Sequence, residues 1–285
     1  MSPNAERCVS CGQMHEGLYC PACGEKRLEE RDLSWRHFWS HAFEAFFHAD
    51  GRIFRSLRTL IFMPGELTAA YMSGRRKPLL APLSLFLVVN LIYFLVAPLA
   101  HWDTMVTPLK SHLTEQLYSA WVKPLVQHQL QARNESFDAY AAKFDYNVGV
   151  EAHALAIALV VLFFVPTAAL LYRRRPRLLD HAVFSLHFCA FLLLWTFSTQ
   201  IMTNLVMWVI SKNTRGTYTD MDVPLSLVTL AGAAFYLWWA IRRLYGGSRL
   251  RLTAEALTLT LTLVPVLHAY RLILFFVAYY RVAHG

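Results

Sequence analysis

Long apolar runs separated by short charged breaks fill the chain from residue 79 onward, whereas everything before it is polar or amphipathic. A helix needs about 20 apolar residues to cross the ~30 Å hydrocarbon layer. Five windows qualify, near 79–100, 152–172, 182–210, 224–241 and 256–280. The pattern therefore predicts an all-α polytopic membrane protein with five transmembrane helices behind a soluble front. The third window covers residues 182–210, about 43 Å at 1.5 Å per residue. It is expected to tilt, or to break near Thr199 and Gln200. In the fifth window the run from Ala256 to Leu263 alternates with the period of a strand. An isolated strand leaves its backbone unsatisfied in lipid, so helix is the reading, with Pro265 kinking it.

Helical spacing also marks the front. Trp35, Phe38, Trp39, Ala42, Phe43, Phe46 and Phe47 share one face, opposite Arg36, His37, Ser40, Glu44 and His48. Such a stripe fits a helix lying in the membrane interface or packed on the bundle. Ser34 suits its N-cap, and Gly51 a break before a second helix, Arg52 to Phe62. The segment 101–151 is too long for a simple connector and predicts one or two short helices, with Trp121, Leu125 and Leu130 on one side. The domain reading is a ribbon and hinge at 1–30, amphipathic or interfacial helices at 31–78, and a membrane domain at 79–285.

Charge sets the orientation. Arg75, Arg76 and Lys77 directly precede the first window, and Arg-rich loops at 173–177 and 242–251 recur after every second span. Segments 1–82, 173–181 and 242–255 hold 19 Lys/Arg against 11 Asp/Glu, while 101–151, 211–223 and 281–285 hold 7 against 8. The net charge of +8 is thus a topology signal rather than a nucleic-acid footprint. It places the N-terminus in the cytoplasm and the C-terminus outside. The first 30 residues lack an apolar signal core, so the first span is expected to direct insertion itself.

Residues 8–23 read CVSCGQMHEGLYCPAC, two Cys-x-x-Cys pairs eight residues apart. Cys8, Cys11, Cys20 and Cys23 can form a closed tetrahedral thiolate shell, and Gly12 and Gly24 permit turns that aim backbone amides at the sulfurs. Structural zinc is the expected cofactor, with iron the alternative for the same shell. A reducing cytoplasm argues against disulfides. With no open coordination position, the site is expected to be structural rather than catalytic.

Polar groups inside spans are the next place to seek function. His181, His187, Cys189, Gln200 and Asn204 lie in the third window, Asn90 in the first, and His268, Tyr270 and Arg271 in the fifth. His181 and His187 are offset by about 120° around a helix, so they do not form an i, i+4 ligand pair. Arg271 stays charged, and it is expected to snorkel outward or to pair with Glu151. Phosphate-binding loops, nucleophile elbows and zincin motifs are absent from the sequence.

The ribbon cysteines, Arg58-Thr59, Pro64-Gly65, Tyr71, Gly74 to Arg76, Pro82, Pro166, the DHAVFSLHF run and Tyr270-Arg271 together resemble a family of uncharacterised bacterial inner-membrane proteins. That family joins an N-terminal zinc ribbon to a small helical membrane domain, and often has a further histidine where this chain has Cys189. The resemblance implies this architecture and an inner (plasma) membrane location, with no activity attached. The combined expectation is a non-enzymatic membrane protein whose ribbon docks a cytoplasmic protein partner, in contact with membrane lipid and not nucleic acid. The alternatives are a small transporter or channel for an anionic or lipid-like solute using Arg271 and the third span, and, third, a metalloenzyme using His181 and His187.

Overall fold

The computed structural model describes residues 5–29, 51–97, 105–213 and 222–284. The aromatic stripe at 35–47, with its Ser34 cap, lies outside the described residues. Two compact units are present, Met1–Val89 with Pro166–Thr260, and Asn90–Val165 with Leu261–Gly285.

The first unit opens with a two-stranded antiparallel ribbon, β1 (Glu6–Arg7) and β2 (Met14–His15), in the register Glu6 to His15. Helices α1 (Arg52–Phe62) and α2 (Glu66–Met72) follow, and then the basic loop leading to α3 (Pro82–Val96). Gly65 caps α2 with φ +81°, and a Cβ there would sit 2.9 Å from the Cα of Ala240. Only glycine meets both demands, a left-handed backbone and a close approach to a neighbouring helix. The long helices are α6 (Phe137–Leu171), α7 (Leu178–Asn213), α8 (Asp222–Tyr245) and α9 (Arg249–His284). From Leu179 to Phe191 every residue of α7 is buried, so this half-helix is the core of the first unit. A helix apolar all round must be enclosed on every side. The ring of Tyr236 in α8 stacks on Phe191 at 3.9 Å.

The basic stretches meet here. Glu66 binds both Arg75 and Arg243, the latter at 3.0 Å. Arg174 binds Glu255 at 2.6 Å and donates to the Tyr245 carbonyl at 2.7 Å, capping α8, while Arg251 reaches the other oxygen of Glu255 at 2.9 Å. Loops that the charge pattern assigns to one side are thus joined by two acidic side chains, Glu66 and Glu255, while Asp180 pairs within its own loop, 3.6 Å from Arg175.

In the second unit, α4 (Leu109–Thr114) and α5 (Ser119–Arg133) pack between the start of α6 and the end of α9. Tyr140, Phe144 and Val148 recur every fourth residue along α6 and meet Phe275, Ala278 and Val282 of α9. Tyr270 donates to the Ala152 carbonyl at 3.1 Å.

Four helices are long and apolar enough to cross a membrane, namely α6, α7 to Val206, α8 from Pro224, and α9. The apolar helix α3 has 15 residues, about 22 Å. The windows at 182–210, 224–241 and 256–280 fall inside longer helices, and that at 152–172 ends one residue past the long helix that holds the rest of it. Two expectations need correction. Helix α7 runs unbroken through Thr199 and Gln200, so of tilt and break only tilt remains; the hydroxyls of Thr196, Ser198, Thr199 and Thr203 are satisfied on carbonyls about one turn earlier. On α5 the packed face is Val122 and Val126 with Leu130 beside them, while Trp121 is 76% exposed and Leu125 37%. Large rings from Tyr140, Phe144 and Phe275 already fill that side, and valines fit against them.

Candidate metal centre and buried polar groups

Two matching knuckles build the cysteine site. Gly12 N–H donates to the Cys8 carbonyl at 2.9 Å, and Gly24 N–H to the Cys20 carbonyl at 2.7 Å. Both glycines have positive φ, 79° and 69°, which folds each Cys-x-x-Cys-Gly turn back on its first sulfur. The four Sγ atoms lie within 4.8 Å of one another. Cys8 to Cys23 and Cys11 to Cys20 are each 3.5 Å apart, and all the cysteines are free. Ligands about 2.3 Å from a tetrahedral ion stand about 3.8 Å from each other, so this spacing fits a bound metal. Backbone amides support thiolates here. The amides of Cys11 and Ser10 push Cys8 down to about 6, and that of Cys23 pushes Cys20 down. The amides of Gln13 and Glu25 act likewise on Cys11 and Cys23, yet crowding by the other sulfurs and burial leave both raised, Cys23 to about 12. Four thiolates this close need a cation to share.

Glu25, the residue after the second knuckle, is buried. One carboxylate oxygen, Oε2, accepts from Ser10 Oγ at 2.5 Å, Arg76 N at 3.2 Å and Lys77 N at 3.0 Å. Lys77 Nζ donates to the Gly24 carbonyl at 3.2 Å. The ribbon is therefore clasped to the basic loop that precedes α3. The loop is held in turn from α1, where Ser56 Oγ accepts from Leu80 N at 2.9 Å.

The histidines of α7 occupy separate places. His187 Nδ1 lies 2.8 Å from Thr68 Oγ1 of α2, fully enclosed. His181 Nε2 donates to the Arg175 carbonyl at 2.9 Å, so its Nδ1 is the acceptor for the Tyr245 hydroxyl at 3.1 Å. The two rings share no partner, and Cys189 is a buried thiol. His268 Nδ1 bonds within its own helix to the Val264 carbonyl at 2.9 Å.

Arg271 does not pair with Glu151. That carboxylate is taken by Arg281 at 2.9 Å, and Arg271 Nη1 instead donates to Gln116 Oε1 at 3.4 Å. Next to it, His112 Nδ1 and the Tyr118 hydroxyl are 2.7 Å apart, and the His112 ring lies 5.4 Å from that of Phe275, one turn beyond Arg271. Burial and the nearby guanidinium hold His112 down to about 4, against a smaller upward influence from the Thr107 backbone, and burial raises Tyr118 to about 12. Both are neutral at pH 7. Sequence patterning missed Glu25, Glu255, His112 and Gln116. A glutamate after Cys-x-x-Cys-Gly was visible, but its partners lie 51 and 52 residues away.

Residues 50–94 match the family described as Protein of unknown function (DUF3667). The matched stretch holds α1, α2, the Gly65 turn, the basic loop that receives Glu25, and most of α3. No curated protein and no solved structure matches the chain.

Proposed function

We propose that this chain is a non-enzymatic protein of the bacterial inner (plasma) membrane, crossing it five times, whose cytoplasmic zinc ribbon is a docking or regulatory module for a protein partner. The four converging sulfurs, clasped through Glu25 to the loop entering the membrane part, carry this reading. A closed shell leaves no position for substrate, so the metal supplies charge compensation and folding energy rather than chemistry. The fifth crossing is the apolar window 79–100, which contains α3. The joined basic loops define the cytoplasmic side by the positive-inside rule. Helix α1 suits the inner interface, since Phe54, Ile61, Phe62 and Met63 are exposed beside Arg52, Arg55 and Arg58. A histidine metalloenzyme gains no support, because His181 and His187 are engaged apart.

Metal analysis of purified protein tests the module: about one zinc per chain is expected, and none in Cys8→Ser or Cys23→Ser, with the membrane part still inserted. Absence of metal, or disulfides among these cysteines, overturns it. Reporter fusions test the crossings: activity outside after Gly285 and within 101–151, inside at 175 and 246. A cytoplasmic C-terminus refutes five spans.

A further inference from the structure

Helices α6 and α9 have 35 and 36 residues, roughly 52 and 54 Å, against a hydrocarbon layer of ~30 Å. Counted from the Arg174–Glu255 pair that ties the basic loops together, about 20 residues bring α6 across near Ala152 and α9 across about one turn beyond Arg271. The contact of Tyr270 with the Ala152 carbonyl brings the two helices together at this level. Beyond these points the two helices pack with α4 and α5 within the second unit. Arg271 therefore stands within about one turn of that boundary.

At that level the donors exceed the acceptors. Arg271 makes no ion pair among the described residues; Glu115 is near enough to influence it but does not touch it. Its Nε is buried without a partner, and so is His112 Nε2. In the tautomer that accepts the Tyr118 hydroxyl at Nδ1, the neutral His112 ring carries its proton on Nε2, a second donor. His112 is fully buried and Tyr118 nearly so. Unfilled donors around a fixed cation suit an anion with several oxygens. Immediately beside Gln116, Leu117, Trp121 and Leu125 form an exposed apolar row at four-residue spacing, with Leu117 84% exposed. Such a row suits acyl chains, and the polar cluster suits the headgroup above them.

We propose that Arg271, Gln116, His112 and Tyr118 form a binding site for a phosphate-type anion at the outer membrane boundary, supplied as an anionic phospholipid headgroup or as free phosphate. The guanidinium binds two oxygens, and the His112 ring, held by Tyr118, donates to a third.

Thermal unfolding of the full-length protein in dodecyl maltoside tests this, with inorganic phosphate, dihexanoyl phosphatidylglycerol or dihexanoyl phosphatidylcholine added at matched ionic strength. Phosphatidylglycerol is expected to raise Tm saturably and phosphatidylcholine to leave it unchanged. An equal response to inorganic phosphate assigns the site to the free anion; a response to phosphatidylglycerol alone assigns it to the lipid. Arg271→Lys keeps the charge but loses the planar fork, and should weaken the apparent Kd by about tenfold or more. Tyr118→Phe conserves volume, frees His112 and should weaken it several-fold, and it decides the matter if the Arg271 variant does not fold. Arg281→Gln, at a cation already paired with Glu151, should leave it unchanged. No stabilisation by either phosphate compound, an equal effect of phosphatidylcholine, or stabilisation that survives Tyr118→Phe and any folded Arg271→Lys protein at full affinity overturns the proposal.

Discussion

The two units handle buried polar groups in opposite ways. In the first, charged and polar side chains close on one another: Glu255 between two arginines, Glu66 between two more, His181 between Arg175 and Tyr245, His187 against Thr68, and Glu25 on two backbone amides. In the second, Asn90 Oδ1, His112 Nε2, Tyr140 Oη, His153 Nδ1 and Arg271 Nε are all buried without partners. Among the described residues, Arg76 Nε is the one such atom of the first unit, and Arg76 has other interactions. Buried polar atoms are normally satisfied, so each of these exceptions calls for a partner, whether an ordered water or a ligand. His181 and His187, the histidines most visible in the sequence, are engaged by neighbouring side chains and carbonyls, and the unfilled donors sit where it gave no motif.

The largest expected effect tests the closed networks. Glu255→Ala leaves Arg174, only 11% exposed, without its counter-charge, and should destabilise the protein by about 3–5 kcal/mol. Urea unfolding in detergent measures this; a loss under about 1 kcal/mol, the level of an exposed pair, would mean the network is surface-like.

Acid should destabilise the second unit. His112 titrates near 4 when folded and near 6.5 when not, so the folded state is fully favoured above pH 6.5 and loses stability as pH falls from 6.5 toward 4. The loss approaches roughly 3 kcal/mol. Hydrogen exchange in α4 and α5 at pH 7 and pH 5, in phosphatidylcholine nanodiscs, reports it, and His112→Phe should flatten the dependence. A smaller effect is expected from Thr68→Val, which strands the His187 nitrogen and should cost about 1–3 kcal/mol in the same unfolding assay. Smallest of all, Arg281→Gln removes a cation 62% exposed and should change stability by under about 1 kcal/mol.

Much of this was legible in the chain, and what was hidden has a physical pattern. Cysteine spacing is local, so the knuckles and their glycines followed from composition and turn geometry. Apolar windows revealed four long helices, but not that α6 and α9 extend past them, because Tyr140, Phe144 and Val148 are separated by polar residues that lower any window average. The apolar end of α9 was legible as membrane although Phe275, Ala278 and Val282 are buried against other helices. Hydropathy cannot separate lipid from a protein core. Long-range pairs such as Glu25 with the 76–77 amides, or Arg281 in place of Arg271 on Glu151, depend on tertiary arrangement and leave no periodic trace.

The central claim is that the ribbon is a metal-held module coupled to the loop that enters the membrane. Hydrogen–deuterium exchange of the full-length protein with and without a zinc chelator tests it directly. Residues 8–25 and the amides of Arg76, Lys77 and Leu80 should lose protection together on metal removal, while α6 and the end of α9 stay protected. Protection at 76–80 that is unchanged when the ribbon opens, or a ribbon indifferent to the chelator, would contradict the account.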